Sequence, residues 1–244
     1  MTSSVSPTCG LRRLDCHVLF GVSMDPLELS DSEKKTLQKV VKRRKLPELV
    51  SGATAVLSGQ RPAVGDLSVL AAALGDGKLG GYESQAALVV VRSLPPGGVE
   101  AERVSQAIVQ EYDKARLEMM KAGCLVPILS LIVMILSPST PSFVNVVGGN
   151  NPTFAIYVRT LQAFKSPRGA AIAAYLASSE STKRPTDMGS LAVAALPDLL
   201  AAASGVALPA GDREEIARLV EIQRIDPAVR ELAARTLSSL PGLP

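Results

Sequence analysis

Tyr82-Glu83-Ser84-Gln85-Ala86-Ala87-Leu88-Val89-Val90-Val91-Arg92-Ser93-Leu94 is the stretch on which the fold class turns. Its run of three valines suits a strand, because β-branched side chains pack well on a pleated surface. A strand needs a partner, however, and no second run of comparable strength lies nearby. The stretch therefore reads as a buried helix, ended by Pro95-Pro96-Gly97-Gly98, which marks a linker. Composition agrees. Aromatic residues make up 3% of the 244 positions and Trp is absent, so the core has to be built from Ala, Leu, Val and Ile. Ala-rich segments with Leu at helical spacing favour close-packed helices.

Working outward from it, the chain divides into helical segments throughout. Ser30 or Asp31 caps a helix running to about residue 45, and Glu33 stands three residues after Ser30, as a capping box requires. Leu37, Val40 and Val41 form its apolar face, and Pro47 stops it. A short helix over 47–57 follows, broken by Gly59, Pro62 and Gly65. Asp66 then caps a helix over 67–74. The glycine-rich 75–81 loop is only superficially like a phosphate loop. Its spacing is not G-x-x-x-x-G-K-[ST], and no strand precedes it.

Beyond the linker, 99–121 is amphipathic. Residues 124–136 are the most hydrophobic stretch, but 13 residues fall short of the roughly 20 that span a bilayer. They read as a core helix with Pro127 in its first turn, or alternatively as a membrane-dipping segment. The Ser/Pro/Gly/Asn-rich 137–152 reads as a long loop that is functional, mobile or partner-binding. Helices are expected over 153–164, 170–178, 188–203, 213–224 (capped by Asp212) and 227–240. The expected architecture is all-α and two-lobed. Residues 1–23 form a flexible N-terminal arm, leader or removable extension, 24–120 an N-terminal lobe, and 121–244 a C-terminal lobe. No fixed-period repeat or sustained heptad is present.

Charge is nearly balanced over the whole chain, with 26 Lys and Arg against 23 Asp and Glu. Locally it is not. Residues 34–45 hold seven cations and no acid: Lys34, Lys35, Lys39, Lys42, Arg43, Arg44 and Lys45. Lys35, Lys39 and Lys42 recur at i, i+4 and i+7, a stripe along one side of the helix. A solvated surface face is the bland reading. Against it, no glutamate is interleaved, and self-repulsion costs a few tenths of a kcal/mol per pair. A polyanion would account for the cluster.

A second cluster lies at 154–175, with four of the eight aromatics: Phe154, Tyr157, Phe164 and Tyr175. Arg159, Lys165 and Arg168 are interleaved, and Lys183-Arg184 adds a basic turn. Rings beside cations suit single-stranded nucleic acid, where bases stack while cations follow phosphates. The alternative for Phe154, Phe164 and Tyr175 is the core. Arg61 and Arg92 read as isolated surface residues. The candidate RNA-binding set is thus Lys35, Lys39, Lys42, Arg43, Arg44, Lys45, Tyr157, Arg159, Lys165, Arg168, Lys183 and Arg184.

A single histidine, His17, and three cysteines without CxxC spacing argue against triads, two-His metal sites, zinc sites and a disulfide framework. Glu214-Glu215 fit a helix N-terminus. No catalytic residues, metal or cofactor are expected, and the chain reads as intracellular and not an enzyme.

Leu67-Ser68-Val69-Leu70-Ala71-Ala72-Ala73-Leu74, then Gln85-Ala86-Ala87-Leu88-Val89-Val90 and Leu94-Pro95, resembles a stretch of phlebovirus-type viral nucleocapsid proteins. The resemblance spans 67–95, interrupted by the 75–81 loop. It implies a two-lobed helical protein that holds RNA in a basic groove between lobes and self-associates through a terminal arm, in the cytoplasm and in the virion. The alternative expectation is a viral matrix or membrane-peripheral assembly protein, whose basic helix lies on anionic lipid. A helical adaptor for an acidic protein is a third reading.

Overall fold

In the computed structural model, which describes residues 27–114, 152–179 and 187–241, the valine stretch is a helix, and every residue from 86 to 94 is buried. Burial on all sides explains why it shows no polar face: a helix apolar all round belongs at the centre of a protein. The valines fit because their neighbour is small. A Cβ on Gly52 would lie 2.6 Å from Val90 Cγ1, so the missing side chain is the notch into which Val90 packs.

The described residues form ten helices and no strand, and the fold is all-α. In chain order these are α1 (Asp31–Arg43), α2 (Pro47–Leu57), α3 (Val64–Gly75), α4 (Gly81–Val91), α5 (99–114), α6 (Pro152–Ala163), α7 (Gly169–Ser179), α8 (Asp187–Ala203), α9 (Ala210–Glu221) and α10 (Pro227–Ser239). Helix α4 packs against α1, α2, α3 and α6. On the other side, α7 packs against α6, α8 and α9, and α10 closes over α8 and α9. Among the described residues, all the buried apolar side chains except Ala171 form a single cluster that runs from Leu37 in α1 to Leu240 after α10. The anticipated boundary at 120/121, the extension 1–23 and the segments 124–136 and 137–151 lie outside the described residues.

Local signals account for the starts of α1, α2 and α10. The capping box at α1 is complete: Ser30 Oγ accepts from the Glu33 N–H at 3.3 Å, and the Ser30 N–H donates to Glu33 Oε2 at 2.8 Å. Pro47 and Pro227 stand in the first turns of α2 and α10, where their missing N–H groups cost nothing, and Asp226 caps the latter. Two expected caps are corrected. Helix α3 starts at Val64, so Asp66 lies in its first turn, and no side chain caps it. Helix α9 starts at Ala210, so Asp212 is inside the helix and its carboxylate serves Arg168 instead. In both cases the helix begins two residues before the polar residue, on exposed or half-buried positions (Val64 and Gly65, Ala210 and Gly211), and no side chain caps it.

Candidate nucleic-acid interface

Helix α1 turns Glu33, Leu37 and Val40 into the core. Lys34, Lys35, Lys39, Lys42, Arg43, Arg44 and Lys45 are all exposed. Lys34 makes a long contact to Asp31 at 3.9 Å. Lys35, Lys39, Lys42, Arg43, Arg44 and Lys45 have no carboxylate partner among the described residues. The helix dipole gives part of the cluster a structural reason. Asp31 and Glu33 occupy the first turn of α1, and Lys42 and Arg43 the last. Lys35 and Lys39 lie outside that last turn, so the dipole does not account for them.

Arg44 closes α1 in the left-handed region, φ 50°, with its N–H donating to the Val40 carbonyl at 3.1 Å. Glycine is the usual residue in this conformation, since a Cβ there costs roughly 1–2 kcal/mol. The chain carries a cation at that point in spite of the strain.

Tyr82, at the start of α4, stands beside these cations. Lys39 Nζ lies 4.6 Å and Arg43 Cζ 4.8 Å from the centre of its ring. Arg43 Nη1 donates to Tyr82 Oη at 3.1 Å, and Tyr82 Oη donates to Glu83 Oε1 at 3.1 Å. The phenol is thereby fixed at its tip while the ring stays partly exposed. Gly81, at φ 55°, turns the chain into α4 just before Tyr82. Val40, Arg43, Lys45, Leu46, Leu49, Tyr82 and Glu83 line a small depression at this junction of α1, α2 and α4. Nothing in the local sequence singles out Tyr82. The ring and the cations are about 40 residues apart, and only the packing of α4 on α1 joins them.

The residues of the second cluster meet different surroundings. Arg159 Nη1 donates to Glu33 Oε2 at 3.1 Å. Arg168 grips Asp212 with two nitrogens, at 2.6 and 3.2 Å, and donates to Asp113 at 3.1 Å. The hydrogen bond to Asp212 leads in raising the Arg168 pKa above its usual value, and the charges of Asp212 and Asp113 add to it. Lys165 is exposed at the turn after α6, also with a left-handed backbone, φ 52°. Tyr157 is half-buried edge-on to Phe154, with ring centres 5.9 Å apart. Burial first, and then the charge of Glu111, pushes its phenol pKa up. Phe164 is a core residue, whereas Phe154 and Tyr175 are partly buried against the core. Lys183 and Arg184 lie outside the described residues.

Arg92 is the clear reversal. It was expected at the surface, yet its side chain is 4% exposed and is paired with Glu33, itself 2% exposed, at 2.6 Å. Arg92 Nε donates to Thr160 Oγ1 at 3.1 Å, and the Ile156 carbonyl accepts from Arg92 Nη2 at 3.4 Å. One carboxylate thus gathers α1, the end of α4 and α6. Burial pushes the Glu33 carboxyl upward, but Arg92, the Ser30 N–H and Arg159 outweigh it and hold the pKa below the usual range. The available signal was a charged residue at the end of an otherwise apolar helix: a cation there is either beyond the core or paired inside it.

No helix among the described residues is long and apolar enough to cross a membrane. No protein-family model matches the chain, and no curated protein or solved structure shows significant similarity to it.

Proposed function

We propose that this chain is a nucleocapsid-type structural protein that binds single-stranded RNA and self-associates on it. The observation that carries the reading is the set of six exposed cations on α1 and just beyond it, Lys35, Lys39, Lys42, Arg43, Arg44 and Lys45, with no carboxylate partner among the described residues. Tyr82 beside Lys39 and Arg43 adds a ring to that face, which favours nucleic acid over a plain anionic surface. A membrane reading fits less well. An interfacial helix embeds its apolar face in lipid, and the apolar face of α1 is already spent on the core.

The test is RNA binding as a function of salt. Six neutralised phosphates on a single strand give a slope of log K against log salt of about −4. Affinity for a short oligo(U) that does not change between low and moderate salt overturns the proposal. Protein purified without nuclease provides a second arm. With no Trp and four Tyr, bound RNA would dominate its ultraviolet absorbance, and electron microscopy of the same sample would show rings or filaments. Flotation with anionic liposomes that persists after nuclease treatment would favour lipid instead.

A further inference from the structure

The geometry points to Tyr82 as a nucleobase platform, with Lys39 and Arg43 as the phosphate contacts of the same nucleotide. This assignment rests on the RNA-binding reading and says which part of the face recognises a base rather than charge alone. Three observations carry it. The Tyr82 ring is partly exposed and held at its hydroxyl by Arg43 and Glu83, so its orientation is set before any ligand arrives. Both cations lie within 5 Å of the ring centre, at 4.6 and 4.8 Å, the distance at which a charge is attracted to a π-face. Finally, these cations have no carboxylate partner among the described residues, so no ion pair holds them over the ring, and Lys39 is kept there by the π-face alone.

A nucleobase offers the ring a larger flat surface than an ammonium does. It takes the place of Lys39 over the ring, and the displaced ammonium turns to the phosphate beside it. The cation–ring contacts therefore act as a resting state that covers the accessible part of the Tyr82 ring when no RNA is bound. Because every base has a π-face, the platform is tolerant of sequence.

The experiment compares two polyanions, a fluorescently labelled oligo(U) and inorganic polyphosphate of similar charge, on the full chain. For wild type, oligo(U) quenches tyrosine emission and polyphosphate does not; absence of Trp makes this signal readable. Tyr82→Phe removes the tyrosine signal of that ring and its hydroxyl tether while keeping the stacking face, so the quench falls and the affinity for oligo(U) drops less than in Tyr82→Leu. Tyr82→Leu lowers oligo(U) affinity about 10-fold, toward the lower end of a stacking loss, with the salt slope and the polyphosphate affinity unchanged. Lys39→Ala lowers the salt slope for both ligands by about one phosphate's worth. If Tyr82→Leu weakens both ligands equally, or neither, or if Tyr82→Phe leaves the quench intact, the platform is overturned while RNA binding by α1 stands. Wild-type protein that binds neither polyanion overturns the function and the platform together.

Discussion

Two basic segments of this protein, 34–45 in and after α1 and 159–168 in α6 and the turn after it, have similar chemistry and opposite fates. Six cations of the first stand in solvent with no carboxylate partner among the described residues, whereas Arg159 and Arg168 in the second are bound to Glu33, Asp113 and Asp212. The difference lies in what each helix packs against. The basic face of α1 meets only the Tyr82 ring of α4 and no acid of another helix among the described residues, while α6 and the turn after it lie against α1, α5 and α9, each of which supplies an acid. A cation count in sequence measures charge, and a ligand responds only to charge that the fold has not already neutralised. Lys165 is the exposed exception in the second segment.

The comparison breaks most severely at Glu33. Glu33→Ala leaves Arg92 buried without its counter-charge, and such losses run to about 3–5 kcal/mol, measurable by urea denaturation. The same pair sets the acid response. The Glu33 carboxyl is held low in the folded protein and rises to its ordinary value, about 4.3, on unfolding. Its contribution is therefore fully present above that value and is lost as pH falls below it. Stability measured at neutral pH and near pH 3 should show an acid loss in wild type that is smaller in Glu33→Gln.

Arg168→Ala comes next, because it strands a carboxylate, Asp212, whose side chain is 5% exposed. The expected cost is about 1–3 kcal/mol, seen as a lower melting temperature, with oligo(U) affinity per folded molecule unchanged. A large loss of affinity without loss of stability would erase the distinction between the two segments. Arg44→Gly goes the other way. Relief of left-handed strain, less the entropy that glycine brings to the unfolded chain, leaves a gain of about 0.5 kcal/mol, while RNA binding weakens through the lost charge. The smallest stability effect per site belongs to Lys35→Ala, Lys39→Ala and Lys42→Ala, each within about 0.5 kcal/mol. The three changes combined flatten the salt dependence of RNA binding by about 2 units of slope.

Much of the fold is legible in the chain because helix signals are local. Ser30 with Glu33, Pro47 and Pro227 mark the starts of α1, α2 and α10 within a residue or so. Ala86 to Val91 read as helix because no partner strand is at hand, and the structure agrees. The interface was less legible. The α1 cations follow from periodicity alone, since a 3.6-residue repeat assigns Leu37 and Val40 to one side and the lysines to another. Tyr82 and Arg92 do not, because their partners are distant in sequence: Tyr82 meets Arg43 across 39 positions, and Arg92 meets Glu33 across 59.

What the amino-acid sequence determined by itself is therefore the set of helices and the basic side of α1, both governed by neighbours within one or two turns. Tertiary structure decided which cations remain available. Whether an arginine faces water or a carboxylate depends on which helices pack against it, and for Arg92, Arg159 and Arg168 those acids come from other helices. Coulomb attraction selects such pairs because a buried charge without a partner is far more costly than a paired one, and no local pattern encodes that choice.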